Sequence, residues 1–191
     1  MKKKIMMIAM SMLLAFAVAG CGAKNTDDAP KVEVTDGAEL LNKVWDTYGE
    51  DQKFPAMGGD FNNPVDNAAG AFDIADAENL TYMLYIPADS VELIDGAASL
   101  IHAMNTNTFT GAAFHLADAS KAQMLADSLK ENISNTQWMC GFPDKLVIFS
   151  VNGGEYVVSA FGNGEIMDNF KTKLTEVYGE SAVLLIEENL V

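Results

Sequence analysis

Two cysteines and two histidines are the whole thiol and imidazole inventory of this 191-residue chain, so nucleophilic, redox or metal chemistry has few places to sit. Cys21 stands directly after Val18-Ala19-Gly20, behind Lys2, Lys3 and Lys4 and an apolar run from Ile5 to Ala19. A basic start, a short apolar stretch and small residues before a cut site form a secretory signal, shorter than the roughly 20 residues of a membrane-spanning helix. A cysteine in that position is the substrate of lipoprotein processing, which transfers diacylglycerol to the thiol and cleaves in front of it. One acyl chain, at about 0.8 kcal/mol per buried methylene, attaches only marginally, whereas the several palmitate-type chains of a lipidated N-terminal cysteine anchor durably. The expectation is a signal peptide over 1–20, lipidation at Cys21, and a cell-membrane address facing the extracytoplasmic side.

Cys140 is the other thiol, in Gln137-Trp138-Met139-Cys140-Gly141-Phe142-Pro143. A reactive thiolate needs a neighbouring cation, helix N-terminus or second cysteine to lower its pKa, and this bulky apolar setting supplies none in sequence. An inert, packed thiol is the simpler reading. His102 and His115 fall on different expected elements, and nothing in their spacing brings them together. HExxH, GxSxG, Walker and dinucleotide glycine motifs are absent, so no catalytic, cofactor-binding or metal-ligating residue is assigned.

Two weaker constellations remain. Asp60, Asn62, Asn63, Asp66, Asn67, Asp73 and Asp76 offer oxygen atoms of the kind Ca²⁺ prefers, but Pro64 stands where an EF-hand needs a ligand, and turn formation explains Asx residues without a metal. Trp45, Tyr48, Phe54, Phe61 and Phe72, with Trp138 and Phe142, could line a groove for a glycan, peptide or protein, or could staple a long loop to the sheet.

The elements that must position these residues follow from periodicity. Asp36 and Glu39 resemble a capping box ahead of Leu40, Leu41, Val44, Trp45 and Tyr48, which predicts a helix stopping at Gly49. Residues 50–76, with Pro55, Gly58-Gly59, Pro64 and Gly70, read as a long loop of a kind that usually carries a role. Leu80–Ile86 reads as a buried strand ending at Pro87. Asp89 and Glu92 then suggest a second capping box, for a helix bearing Val91, Ile94, Ala98 and Ile101. A strand over 108–116 leads to a helix capped by Asp118 with Ala122, Leu125, Leu129 and Ile133 facing the core. Leu146–Val151 and Tyr156–Phe161 flank Asn152-Gly153, the signature of a hairpin. A last helix carries Ile166, Phe170, Leu174 and Val177, and an apolar Ala182–Ile186 makes an edge strand. This order predicts an α+β class: one antiparallel or mixed sheet of four to five strands, with helices packed mainly on one face.

Organisation and charge agree with an envelope address. Residues 21–35 hold the lipidated cysteine and a polar tether, and 36–191 form a single domain large enough for a real core. All the basic residues are lysine, and after residue 20 nine lysines face 27 carboxylates, a net charge of −18. That field repels nucleic acid and anionic head groups, so no nucleic-acid partner is expected.

The stretches FHLADASKAQMLADSLKENI and KLVIFSVNGGEYVVSAFG, with the lipobox, resemble a group of small lipoproteins of Gram-positive-type anaerobes that share a domain of unknown function. The likeness lies mainly in the C-terminal half; it implies an envelope address and a mixed fold, and it transfers no functional residue. The expected role is a lipid-anchored extracytoplasmic binding or protein-interaction module without catalysis, its partners the membrane through Cys21 and an envelope protein or glycan. The competing expectation is a thiol-dependent enzyme or redox protein that uses Cys140.

Overall fold

The computed structural model describes residues 31–139 and 141–191. Among these residues four α-helices and eight strands follow one another: α1 (Gly37–Trp45), β1 (Ala56–Gly59), β2 (Pro64–Asp66), β3 (Gly70–Phe72), α2 (Ala77–Leu84), β4 (Ile94–His102), β5 (Phe109–Leu116), α3 (Ala122–Ser134), β6 (Lys145–Val151), β7 (Tyr156–Gly162), α4 (Gly164–Tyr178) and β8 (Ala182–Asn189). All eight strands join one antiparallel sheet in the order β2-β1-β4-β5-β7-β6-β8, with β3 also pairing β4.

The mixed class and the antiparallel sheet match the expectation; the strand number does not, because the stretch from 50 to 76 contributes three short strands. β1 and β3 share one edge of β4, Ala56 opposite His102 and Phe72 opposite Ala97. Glycine permits the crossing: a Cβ on Gly58 would lie 2.2 Å from the backbone nitrogen of Gly70. Four-residue and three-residue strands are too brief to show alternation, so turn residues dominate that part of the sequence.

The layer arrangement also departs from the expectation of helices mainly on one face. α1 and α4 cover one side, where Leu40, Leu41, Met167, Phe170 and Leu174 meet Leu100, Phe109, Val147, Phe149 and Val158. α2 and α3 cover the other, where Leu80, Leu84, Leu125 and Leu129 meet Ile101, Phe114, Leu146, Ile148 and Val157. The central strands are consequently buried on both faces and read as continuous apolar runs rather than alternating ones.

Two element types exchange for that reason. Leu80–Ile86, read as a strand, belongs largely to α2: Asp76 caps it by accepting from Asn79 N at 3.0 Å, Leu80 and Leu84 point inward, and Tyr85 ends it in the left-handed region at φ 57°. The segment read as a helix is one turn of 3₁₀ helix, Ala88–Leu93, followed by β4. The apolar stripe Ile94, Ala98 and Ile101 fits helical spacing by coincidence, since on a doubly covered strand both faces are apolar.

The remaining elements fall where expected. Asp36 Oδ1 accepts from Glu39 N at 2.8 Å, and the Glu39 carboxylate accepts from Thr35 N and Thr35 Oγ1, both at 2.7 Å. The reciprocal half of the capping box thus lands one residue earlier than the motif implies. Asn152, Gly153 and Gly154 all take positive φ in the β6–β7 turn. Gly154 is also required sterically, because a Cβ there would lie 2.4 Å from the carbonyl oxygen of Ala119.

Candidate interaction surface

Both histidines are committed to the scaffold. His102 ends β4 and stacks on Phe54, ring centroids 5.1 Å apart and nearly parallel. Its Nδ1 accepts from Met104 N at 3.2 Å and Asn105 N at 3.4 Å, which closes the β4–β5 turn. His115 lies six positions along the β4–β5 ladder, a separation of roughly 20 Å at about 3.3 Å per residue. Its Nδ1 pairs with Asp95 Oδ1, its Nε2 faces Glu155 Oε1 at 3.9 Å, and its ring sits on Tyr156. A carboxylate on Nδ1 is how imidazole bases are oriented, but the second nitrogen faces another carboxylate rather than a hydroxyl or thiol. Cys140 lies outside the described residues, as does Cys21.

The Asx-rich stretch resolves into separate turn caps. Asp60, only 4 % exposed, accepts from Asn62 N at 2.8 Å, Asn63 N at 2.9 Å and Asp73 N at 3.1 Å. Burial pushes its carboxyl up, yet the backbone N–H groups of Asp73, Asn62 and Asn63 together hold it below the ordinary carboxylate value. Asp73 caps Ala75, Asp76 caps α2, and Asp66 is exposed on β2. Among the described residues no three acidic, histidine or cysteine groups converge on a point that could hold a metal.

The aromatic set divides into an interior half and an exposed half. Trp45, Tyr48 and Phe54 stack at 4.9 Å spacings and continue through Phe109 to Phe170, while Phe72 is buried on the other face. Trp45 Nε1 donates to Asn67 O, and Asn42 exchanges two hydrogen bonds with Ala69, so α1 pins the β2–β3 stretch to the sheet. Burial pushes the Tyr48 hydroxyl pKa up, as expected of a core tyrosine.

The exposed half lies on α2, in the β1–β2 turn and at the end of the sheet beyond His102. Tyr82 is 73 % exposed, Phe61 60 %, Met104 79 %, Met139 89 % and Phe142 65 %. Trp138, half-buried on Tyr85 and Phe161, joins the α2 face to the loop bearing Met139 and Phe142. That loop is held to the β4–β5 turn by Asn107 Nδ2 donating to Gly141 O at 3.0 Å. Along α2, Glu78, Thr81, Tyr82 and Tyr85 follow helical spacing and, with Ala77 and Ala88, line an open groove of about 590 Å³. Thr81 Oγ1 on its wall is shut off from solvent and has no hydrogen-bond partner. Sequence reading singled out Phe61, Trp138 and Phe142 but missed Tyr82 and Tyr85, because LTYMLYI taken as a strand buries them; read as a capped helix, i and i+3 spacing turns them outward.

At the opposite end, residues 31–34 cross the domain in extended form. Val32 N donates to Asn152 Oδ1 at 3.0 Å, and Asn152 Nδ2 donates back to Val32 O at 2.9 Å. Val32 and Val34 pack on the α1–α4 side of the core, and Lys31 pairs with Glu155 at 3.2 Å. The chain therefore enters the domain beside the β6–β7 turn, eleven positions after Cys21.

Fold and surface define a three-layer α+β domain with its imidazoles bound into structural contacts and an aromatic groove open on one face. Comparison with protein-family models, with curated proteins and with solved structures finds no match.

Proposed function

We propose that this chain is a lipid-anchored extracytoplasmic module that binds a partner through the α2 face and takes no part in catalysis itself. The observation that carries the reading is the exposed set Phe61, Tyr82, Met104, Met139 and Phe142. A chain of net charge −18 after residue 20 has ample polar surface to cover itself, and large apolar side chains gathered on linked elements are the usual mark of an interface. Trp138 and Tyr85 supply rigid aromatic area beside them, the residue types that dominate binding energy.

The anchor is the lipobox cysteine. Among the described residues no helix is long and apolar enough to cross a membrane, and the lipobox supplies attachment by acylation at Cys21. Fully extended, the stretch from Cys21 to Val32 reaches roughly 35–40 Å, enough to hold the β6–β7 end close to a bilayer surface while α2 remains open to solvent. Metabolic labelling with a palmitate analogue tests this half of the reading. Label in the wild-type chain and none in Cys21→Ala is expected; a labelled Cys21→Ala would contradict the assignment.

A further inference from the structure

The interaction reading leaves the partner's chemistry open, and the distribution of lysine narrows it. Between Lys53 and Lys121 the chain contains no basic residue other than the two histidines, while it carries nine carboxylates. This stretch builds β1 to β5 and α2, and so the whole exposed aromatic face except the loop at 138–142. Among the described residues, every ion pair made by a lysine uses a carboxylate outside the stretch. The lysines neutralise acids on α1, α4, β8 and the turns, and leave the α2 side uncompensated.

The carboxylates sit where a ligand in the groove would meet them. Glu78 lines it beside Tyr82, and Asp89 follows Ala88 at the other end, opening onto a polar shelf with Glu131 and Asn132. Asn132 Nδ2 donates to Tyr85 O at 2.7 Å, so shelf and groove are one surface. Glu78, Asp89 and Glu131 are all exposed. Aromatic faces flanked by unpaired carboxylates attract an apolar side chain accompanied by cations, through burial, cation–π contact with tyrosine and charge complementarity.

We infer that the partner is a polypeptide segment bearing lysine or arginine around an apolar or aromatic anchor, the anchor lying between Tyr82 and Tyr85 and the cations meeting Glu78 and Asp89. The inference rests on the interaction reading and adds the class of partner.

The full chain in zwitterionic nanodiscs, titrated by calorimetry against empty discs, provides the test. The probes are a short peptide of Leu, Trp and Lys, its counterpart with Glu for Lys, and a neutral one with Gln for Lys. The lysine peptide should bind saturably and more weakly as salt rises. Tyr82→Ala should weaken it by about tenfold or more. Glu78→Gln with Asp89→Asn should weaken it several-fold and flatten the salt dependence, and Glu176→Gln on α4 should leave it unchanged. Equal weakening by Glu176→Gln would reduce the effect to diffuse charge and overturn the site. Equal or tighter binding of the glutamate or neutral peptide, abolished by Tyr82→Ala, would overturn the cationic partner while leaving the interaction module standing. Indifference of every peptide to Tyr82→Ala would remove the groove itself.

Discussion

Asp60 and Asn152 show how single polar side chains organise segments that lack regular structure. The Asp60 carboxylate gathers three backbone N–H groups from Asn62, Asn63 and Asp73 and so ties the β1–β2 turn to the end of β3. An asparagine offers one acceptor oxygen where the carboxylate offers two, so Asp60→Asn should cost about 1–3 kcal/mol at neutral pH. Because the folded pKa is lowered, this contribution is fully present above the unfolded carboxylate value near 4 and is lost as pH falls through the folded value. Denaturant titrations of wild type and Asp60→Asn should diverge at pH 7 and converge in acid once pH has fallen below the folded value; a constant gap would show that charge plays no part. Asn152 sits at φ 56°, which glycine adopts freely, so Asn152→Gly removes the amide without straining the turn. Loss of its two bonds to Val32 should raise amide exchange at Val32 to unfolded rates while the β6–β7 ladder stays protected. Unchanged protection at Val32 would mean that packing of Val32 and Val34 alone holds the segment.

At the scale of elements, the legible parts of the sequence were those whose signal is local. Asp36 with Glu39, Asp118, and Asn152-Gly153 each fix backbone angles or satisfy terminal N–H groups within a few residues; α1 and the β6–β7 hairpin formed where they indicate, and Asp118 caps a 3₁₀ turn, Ala119–Lys121, that leads into α3. α2 and β4 were exchanged because their types depend on which layers cover them. LTYMLYI has strand-like composition, and only the Asp76 cap and the left-handed Tyr85 reveal a helix; β4 is apolar on both faces, so its periodicity carries no strand signal. The site was legible to the same degree. Exposed Phe61 and Phe142 could be named, whereas Tyr82 could be placed outward only once α2 was known. Asp76→Ala should therefore destabilise the domain by about 1 kcal/mol through α2, with the earliest exchange in residues 77–84. Protection of α2 equal to wild type would show that Leu80 and Leu84 hold it without the cap. β8 completes the far edge of the sheet, where Lys145 and Lys171 reach Glu187 at 3.7 and 2.5 Å and Lys130 reaches Glu188 at 2.9 Å. Charge on that strand discourages further strand addition, so β8 is an unsuitable docking edge despite its exposed Val183 and Leu184.

The whole molecule is polarised. The chain enters beside the β6–β7 turn through Val32 and Asn152, Met104, Met139 and Phe142 lie at the other end of the strands, and α2 presents its tyrosines on a flank whose carboxylates pair with no lysine. The proposed attachment near one end and proposed recognition away from it suit a module held at a membrane surface and read from the aqueous side. A photocrosslinking residue placed at Tyr82 in intact cells tests that account most directly, with Thr172 on α4 as the control position and Cys21→Ala as the unanchored form. The account predicts a discrete adduct from Tyr82, none from Thr172, and loss of the Tyr82 adduct in Cys21→Ala. Equal adducts from both positions, or a Tyr82 adduct indifferent to Cys21, would contradict it.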